Sequence, residues 1–168
     1  SAIYGGGGMY NSSSNPTLTN CTFTENAAHY YGAGMYTYWY SSPTLIGCTF
    51  TDNSVVEDGG GMLNEAYSTP TLTNCTFTGN GADQDGGGMF NVQSSPTLSN
   101  CTFTDNYADL GGGMYNTQGS SPTLSDCTFT INSARNGGGI ASYDSSLTLT
   151  NCTFTDNYAD LGGGMFNK

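Results

Sequence analysis

Apolar and polar positions alternate along this chain in short runs, and nowhere recur at helical spacing. Leu18 is followed by Thr19; after a corner at Asn20, Cys21 and Phe23 alternate with Thr22 and Thr24. That period of two lets a strand bury one face. The phrase Cys-Thr-Phe-Thr-x-Asn occurs six times, beginning at Cys21, Cys48, Cys75, Cys101, Cys127 and Cys152, with gaps of 27, 27, 26, 26 and 25 residues. Gly-Gly-Gly-Met or a near variant occurs seven times, ending at Met9, Met35, Met62, Met89, Met114, Ile140 and Met165. Pro-Thr-Leu precedes five of the six cysteines, and Leu147-Thr148-Leu149 stands at the sixth. A fixed period of this length means stacked units that bury their apolar side only against one another.

The pattern predicts a single all-β domain over residues 1–168, a right-handed parallel β-helix (β-solenoid) of six coils of about 26 residues. Three short strands are expected per coil, on Gly-Met-Tyr-Asn, Thr-Leu-Thr and Cys-Thr-Phe-Thr, with Gly, Ser, Asn and Pro at the corners. Handedness follows from the right-handed preference of parallel crossovers. Stacking makes a ladder of each repeated position: the Leu row from Leu18 to Leu149, the Cys, Phe and Met/Ile rows, and a small row from Ala28 to Ala159. The asparagines Asn26, Asn53, Asn80, Asn106, Asn132 and Asn157 are expected to form an internal amide ladder.

Charge narrows the partners. Two Lys+Arg stand against 13 Asp+Glu, a formal net charge of −11. Phosphate neutralisation needs basic residues, so nucleic acid is not an expected partner. Anionic membrane surfaces are disfavoured for the same reason, and no apolar run is long enough for membrane insertion as a helix. An acidic, Lys-poor repeat chain points to an extracellular or cell-surface setting.

Phe-x-x-Asn alternating with a Gly-Gly phrase resembles the β-helical passenger of chlamydial polymorphic outer-membrane proteins and related bacterial surface proteins. Phe23-Thr24-Glu25-Asn26 and its five later copies match the first half. The second half departs, since Gly-Gly-Gly-Met replaces Gly-Gly-Ala-Ile in most coils; Gly137-Gly138-Gly139-Ile140 is among the closer copies. The resemblance spans the chain and implies the solenoid and a secreted, adhesin-like role.

Several rows carry candidate chemistry. Thr-x-Thr recurs at Thr22/Thr24, Thr49/Thr51, Thr76/Thr78, Thr102/Thr104, Thr128/Thr130 and Thr153/Thr155. This outward array looks like the ice-binding face of β-solenoid antifreeze proteins; Thr is also a favoured outward strand residue. Sequons fall at Asn11, Asn20, Asn74, Asn100 and Asn151, candidate glycosylation positions. Aromatics follow the Met row at Tyr10, Tyr36, Phe90, Tyr115 and Phe166. With Trp39 and its neighbours Tyr30, Tyr31, Tyr38 and Tyr40, they are expected to face outward as an assembly or glycan-contact stripe. Asp58 stacks on Asp85 and Glu25 on Asp52, candidate Ca²⁺ positions without a calcium-loop motif; no other cofactor is implied. Asp109, Arg135 and Asp160 share one row, a charge-compensating rung. The cysteines are expected as buried free thiols, neighbouring-rung disulfides being the alternative.

No catalytic residue is expected. Near-uniform repetition leaves no distinct site, His29 lacks an evident partner, and the Gly triplets precede no helix and so are not phosphate loops. Neither end carries a cap, as expected of a filament subunit or a segment of a longer repeat protein. The leading expectation is therefore a non-enzymatic extracellular fibre or adhesin-like solenoid with itself as partner. Ice binding is the alternative, and glycan binding the third reading.

Overall fold

The computed structural model describes residues 1–168. Three long parallel sheets run the length of a β-solenoid, with no helix. The Met sheet has seven strands, Met9–Ser12, Met35–Tyr38, Met62–Glu65, Met89–Val92, Met114–Thr117, Ile140–Ser142 and Met165–Asn167. The Leu sheet has six, from Thr17–Thr19 to Thr148–Thr150, and so does the Phe sheet, from Thr22–Thr24 to Thr153–Thr155. Every strand pairs with the equivalent strand one coil away, and like residues face like: Leu72 with Leu45 and Leu98, Phe77 with Phe50 and Phe103, Met89 with Met62 and Met114.

A fourth short strand, which the alternation does not predict, lies after the Asn row. Ala27–Ala28, Ser54–Val55 and Gly81–Ala82 form one small sheet, and Ser133–Asn136 pairs with Tyr158–Leu161. Three strands per coil is thus corrected to three long rows plus this corner. Its cause is the small residue at each step: Ala28, Val55 and Ala82 are buried close to the neighbouring coil's backbone, which continues the ladder around the bend.

The core is the set of expected rows. Met35, Leu45, Cys48, Phe50 and their copies form one buried cluster down the axis. The phenyl rings of Phe50, Phe77, Phe103 and Phe129 stack with centroids 4.7 Å apart and planes within 4° of parallel. Isolated ring pairs prefer an offset or edge-on arrangement; here the strand spacing of about 4.8 Å imposes the face-to-face stack. The rings in turn dictate the last glycine of each triplet: a Cβ on Gly88 would lie 2.5 Å from the Gly113 carbonyl oxygen and 2.9 Å from Phe103 Cδ1. The first glycine answers to the turn, Gly86 having φ +65°.

Two of the polar rows inside the stack carry side-chain amide ladders, and a third, Ser68, Ser94 and Ser120, accepts backbone N–H groups from coil to coil. Asn80 Oδ1 accepts from the backbone N–H (3.1 Å) and Nδ2 (2.8 Å) of Asn53. Asn80 Nδ2 donates to Asn106 Oδ1 and to the Phe50 carbonyl, both at 3.0 Å. The expected ladder holds from Asn26 to Asn157. A second, unanticipated one lines the Met sheet, where Asn64 donates to Asn91, Asn91 to Asn116 and Asn116 to Ser142. The six cysteines are free thiols, and each interior sulfur lies within hydrogen-bonding reach of the carbonyl two residues back. Burial raises the Cys48 thiol pKa.

Candidate functional site

In a repeat protein the rows build the rod, so departures from them mark where one coil does something the others do not. The largest departure surrounds the second strand of the Met sheet. His29, Tyr30, Tyr31, Tyr36, Tyr38, Trp39 and Tyr40 fall within one coil. Their rings touch in sequence: Tyr30–Tyr31 6.1 Å, Tyr31–Tyr36 5.7 Å, Tyr36–Tyr38 5.7 Å, Tyr38–Trp39 5.9 Å and Trp39–Tyr40 5.6 Å between centroids. Tyr4 and Tyr67 extend the belt by stacking on Tyr30 and Tyr40.

The expected outward stripe is corrected here. Tyr36, Phe90 and Tyr115 are buried, not exposed, and with Leu63 and Ala141 they form a second apolar cluster on the far side of the Met sheet from the core. Alternation does point them away from the axis. They are covered because the turn before each Gly triplet folds over them, bringing up a column that runs Gly5, Tyr31, Asp58 and, further along, Asp85 and Leu110. Of the stripe, only Tyr10 at 52 % and Trp39 at 50 % are well exposed; Phe166 is half-buried.

The result is a trough along the Met sheet. Tyr36, Leu63, Phe90 and Tyr115 are its floor. Tyr31, Asp58 and Asp85 are one wall, and Tyr38, Glu65 and Val92, at the strand ends, are the other. A cavity of about 440 Å³ lies among Tyr4, Gly5, Tyr10, Tyr31 and Tyr36. A second, of about 200 Å³, lies between Tyr31 and Asp58 on one side and Glu65 and Val92 on the other. Tyr31 borders both.

The wall is built by the residue directly before each Gly triplet, which in every coil falls in this column: Tyr31, Asp58 and Asp85, then Leu110 and Asn136. Asp58 Oδ1 accepts the Asp85 backbone N–H at 3.2 Å. Burial, then the Asp85 charge, pushes the Asp58 carboxyl up to about 7. Burial and Asp109 push Asp85 up to about 6, with Arg135 acting in the opposite sense. Across the trough the Tyr36 hydroxyl donates to Glu65, and burial raises the Tyr36 phenol pKa. No group of three or more His, Cys, Asp or Glu side chains is arranged to hold a metal ion.

The remaining expected sites lie elsewhere. The twelve Thr-x-Thr side chains stand in two outward columns of the Phe sheet, each Thr directly paired with the next. Thr51, Thr78, Thr104 and Thr130 in one column, and Thr49, Thr76, Thr102 and Thr128 in the other, are only half-buried rather than exposed. Full exposure is confined to the end coils, at Thr22, Thr24, Thr153 and Thr155. The cause is the stacking itself: strands about 4.8 Å apart press each side chain against its copies above and below, and Thr102 Oγ1 lies 3.3 Å from Thr76 Oγ1.

Of the sequon asparagines, Asn20, Asn74, Asn100 and Asn151 are exposed at the corner between the Leu and Phe sheets, with positive φ near 50°. Asn11 is corrected: it is 2 % exposed and lies in the inner Met-sheet row, so it presents no amide to a glycosylating enzyme. Arg135 pairs with Asp109 at 3.1 Å on an exposed edge, without Asp160.

The family description "right handed beta helix region" matches residues 9–167. The chain belongs to the right-handed β-helix family. No curated protein and no solved structure matches it. In this β-helix the pieces of the trough that sequence reasoning missed are Tyr4, Glu65 and the floor role of Leu63. Their signal was available as broken rows: Glu65 stands where the next coil has Val92, and Leu63 where its neighbours have Tyr36 and Phe90.

Proposed function

We propose that this β-helix is a non-catalytic, extracellular adhesive rod whose contact surface is the aromatic trough and the belt beside it. The observation that carries the reading is the concentration of exposed aromatics: of seven, Tyr4, Tyr10, Trp39, Tyr40 and Tyr67 gather in the first three coils, with Tyr107 and Tyr158 beyond them, while the rows of the Leu and Phe sheets are nearly uniform. Exposed aromatics at this density mark contact surfaces, because they bury much area at small entropic cost. The likeness of the Phe-x-x-Asn phrase to bacterial surface proteins agrees with it.

Sedimentation velocity over a concentration series tests self-contact, and binding to glycan-coated surfaces tests adhesion, each with Trp39→Ser and Tyr40→Ser beside the unaltered chain. Loss of either contact in the variants supports the reading. Contacts that persist unaltered in both variants refute the belt as the surface.

A second reading rests on the Thr columns. Hydroxyl-plus-methyl side chains, repeating at about 4.8 Å along the stack, offer the regular array an ice plane requires, and half-burial holds the interior ones in place. Thermal hysteresis that disappears in Thr76→Tyr and Thr102→Tyr would establish ice binding. A full absence of hysteresis in the unaltered chain would remove it.

A further inference from the structure

The trough is not a neutral aromatic groove. Its walls bring Asp58, Asp85 and Glu65 to the edge of the Tyr36–Leu63–Phe90 floor, and Glu57 lies close enough for its charge to act on Tyr31 and Asp58. No cation of the chain answers these charges directly. Arg135 is held by Asp109 on the outer edge, and Lys168 is the only other Lys or Arg. Asp58 and Asp85 therefore sit half-buried beside each other with only a backbone N–H between them. A groove of this kind is short of positive charge, and above its buried floor the half-buried side chains of Tyr31, Tyr38 and Val92 leave apolar surface open.

One class of partner supplies both. Lysine and arginine carry a cation at the end of an apolar stem, so one side chain can lay methylenes on an aromatic floor and reach a carboxylate at its rim. The protein already shows half of this contact. Lys168 Nζ lies 6.0 Å from the ring centroid of Tyr143, which itself packs against Tyr115 at the far end of the same floor.

We propose that the trough binds an extended Lys/Arg-rich peptide segment, with its cationic head groups against Asp58, Asp85 and Glu65 and its stems along Tyr31, Tyr38 and Val92. The inference rests on reading the rod as a non-catalytic contact surface and names the chemistry of the partner. Specificity for an extended chain follows from shape. The two cavities lie in succession along the Met sheet on either side of Tyr31 and are small, about 440 and 200 Å³, a size that admits side chains of an extended segment one after another.

The test is a calorimetric titration of the full chain with octalysine, and with octaglutamate and a neutral chitin oligosaccharide as the other probes. Three proteins are compared: the unaltered chain, Asp58→Asn/Asp85→Asn, and Asp105→Asn/Asp156→Asn, which removes the same formal charge from the corner beside the Phe sheet. Octalysine should bind the unaltered chain and the corner variant alike. It should bind the trough variant roughly tenfold more weakly, the loss expected when partly buried charge partners are removed. Equal weakening in both variants would show attraction to net charge alone and overturn the proposal. So would the absence of octalysine binding. If the neutral oligosaccharide binds while octalysine does not, the contact-surface reading stands and the cationic partner falls. If no probe binds and the belt variants change no contact, both fall.

Discussion

Thr37 interrupts the amide ladder of the Met sheet, and the cost of that interruption can be read atom by atom. The row runs Asn11, Thr37, Asn64, Asn91, Asn116, Ser142. From Asn64 onward each amide Nδ2 donates to the next coil, at 2.9, 2.8 and 3.2 Å. Around Thr37 the ladder fails. Asn11 Nδ2, Thr37 Oγ1 and Asn64 Oδ1 are buried without a partner. The Thr37 hydroxyl reaches neither neighbouring rung, whereas the carboxamides of the later rungs span strands about 4.8 Å apart. Thr37→Asn is therefore expected to restore two bonds: Asn11 Nδ2 donates to the new carboxamide oxygen, and the new amide nitrogen donates to Asn64 Oδ1. Each relieves a buried atom left without a partner and is worth about 1.5–2.5 kcal/mol. Against this stand a lost methyl, about 0.8 kcal/mol, and the poorer strand propensity of Asn, under ~1 kcal/mol. The net expectation is about 1–3 kcal/mol of stabilisation, or roughly 2–10 °C in Tm for a chain of this size. Stability in a solenoid is local, so hydrogen exchange at the amides of residues 9–12, 35–38 and 62–65 is read beside the melting curve. Thr37→Val is the control. It removes the orphaned hydroxyl but leaves Asn11 and Asn64 unpaired, and should gain less. A Thr37→Asn protein no more stable than Thr37→Val would refute the ladder argument.

Other expectations follow from the same geometry. Phe77→Ala should cost about 3–5 kcal/mol, the usual toll of an emptied aromatic site in a stack that cannot collapse; a loss under ~1 kcal/mol in urea unfolding would mean the rings are not a continuous column. Asp58 and Asp85 titrate near 7 and 6 in the folded chain against an ordinary value of 3.8. The folded state thus holds more protons than the unfolded one between about pH 4 and 7, so their contribution to stability falls as pH rises through that window. Glu57, Glu65, Asp109 and Arg135 are the charged groups acting on this pair. Asp58→Asn/Asp85→Asn should flatten the decline in Tm between about pH 4 and 7, and an unaltered slope would contradict the burial of the pair. Cys48, Cys75, Cys101 and Cys127 are at most 1 % exposed. They should alkylate only on unfolding, after partly exposed Cys21 and Cys152, as mass spectrometry of pulse-labelled peptides would show.

The rod is legible in the sequence because its cause is local and repeated. Alternation around Leu18, Cys21, Phe23 and Met9 assigns each row to the inside, and stacking does the rest. The second amide ladder is legible in principle: Asn91 is two residues beyond inward Met89, hence inward. At Asn11 a surface motif, the sequon, competes with that period and obscures it. The Thr columns are legible in direction but not in degree, since alternation sends Thr51 and Thr78 outward without saying how closely their copies crowd them. The trough is hidden for a different reason. Alternation says which side of a sheet Tyr36, Phe90 and Tyr115 occupy, but not what the chain lays over that side. That depends on the path of the turn before each Gly triplet, which brings Tyr31, Asp58, Asp85 and Leu110 into one column, and no residue type in the Met strands reports it. Grouping the broken rows finds the belt around Trp39, but only three dimensions place Asp58 opposite Glu65.

The direction of the amide ladder has a consequence for how such a molecule changes over generations. Each coil gives hydrogens to the next and receives them from the one before, as Asn53 does between Asn26 and Asn80. Two neighbouring coils are therefore interchangeable at their junction. Excising the stretch from Gly81 to Asn106 would set Asn80 against Asn132 in the same sense, with Phe77 over Phe129 and Leu72 over Leu124. Duplicating it would do the reverse. Such a gene can gain or lose whole turns by recombination between its own near-identical stretches, each product closing as the parent did. The excision described also takes Asp85, Phe90 and Val92 out of the trough, whereas a turn gained or lost beyond Tyr115 changes reach and leaves the trough as it is, so that selection for distance and selection for grip separate only in the later coils.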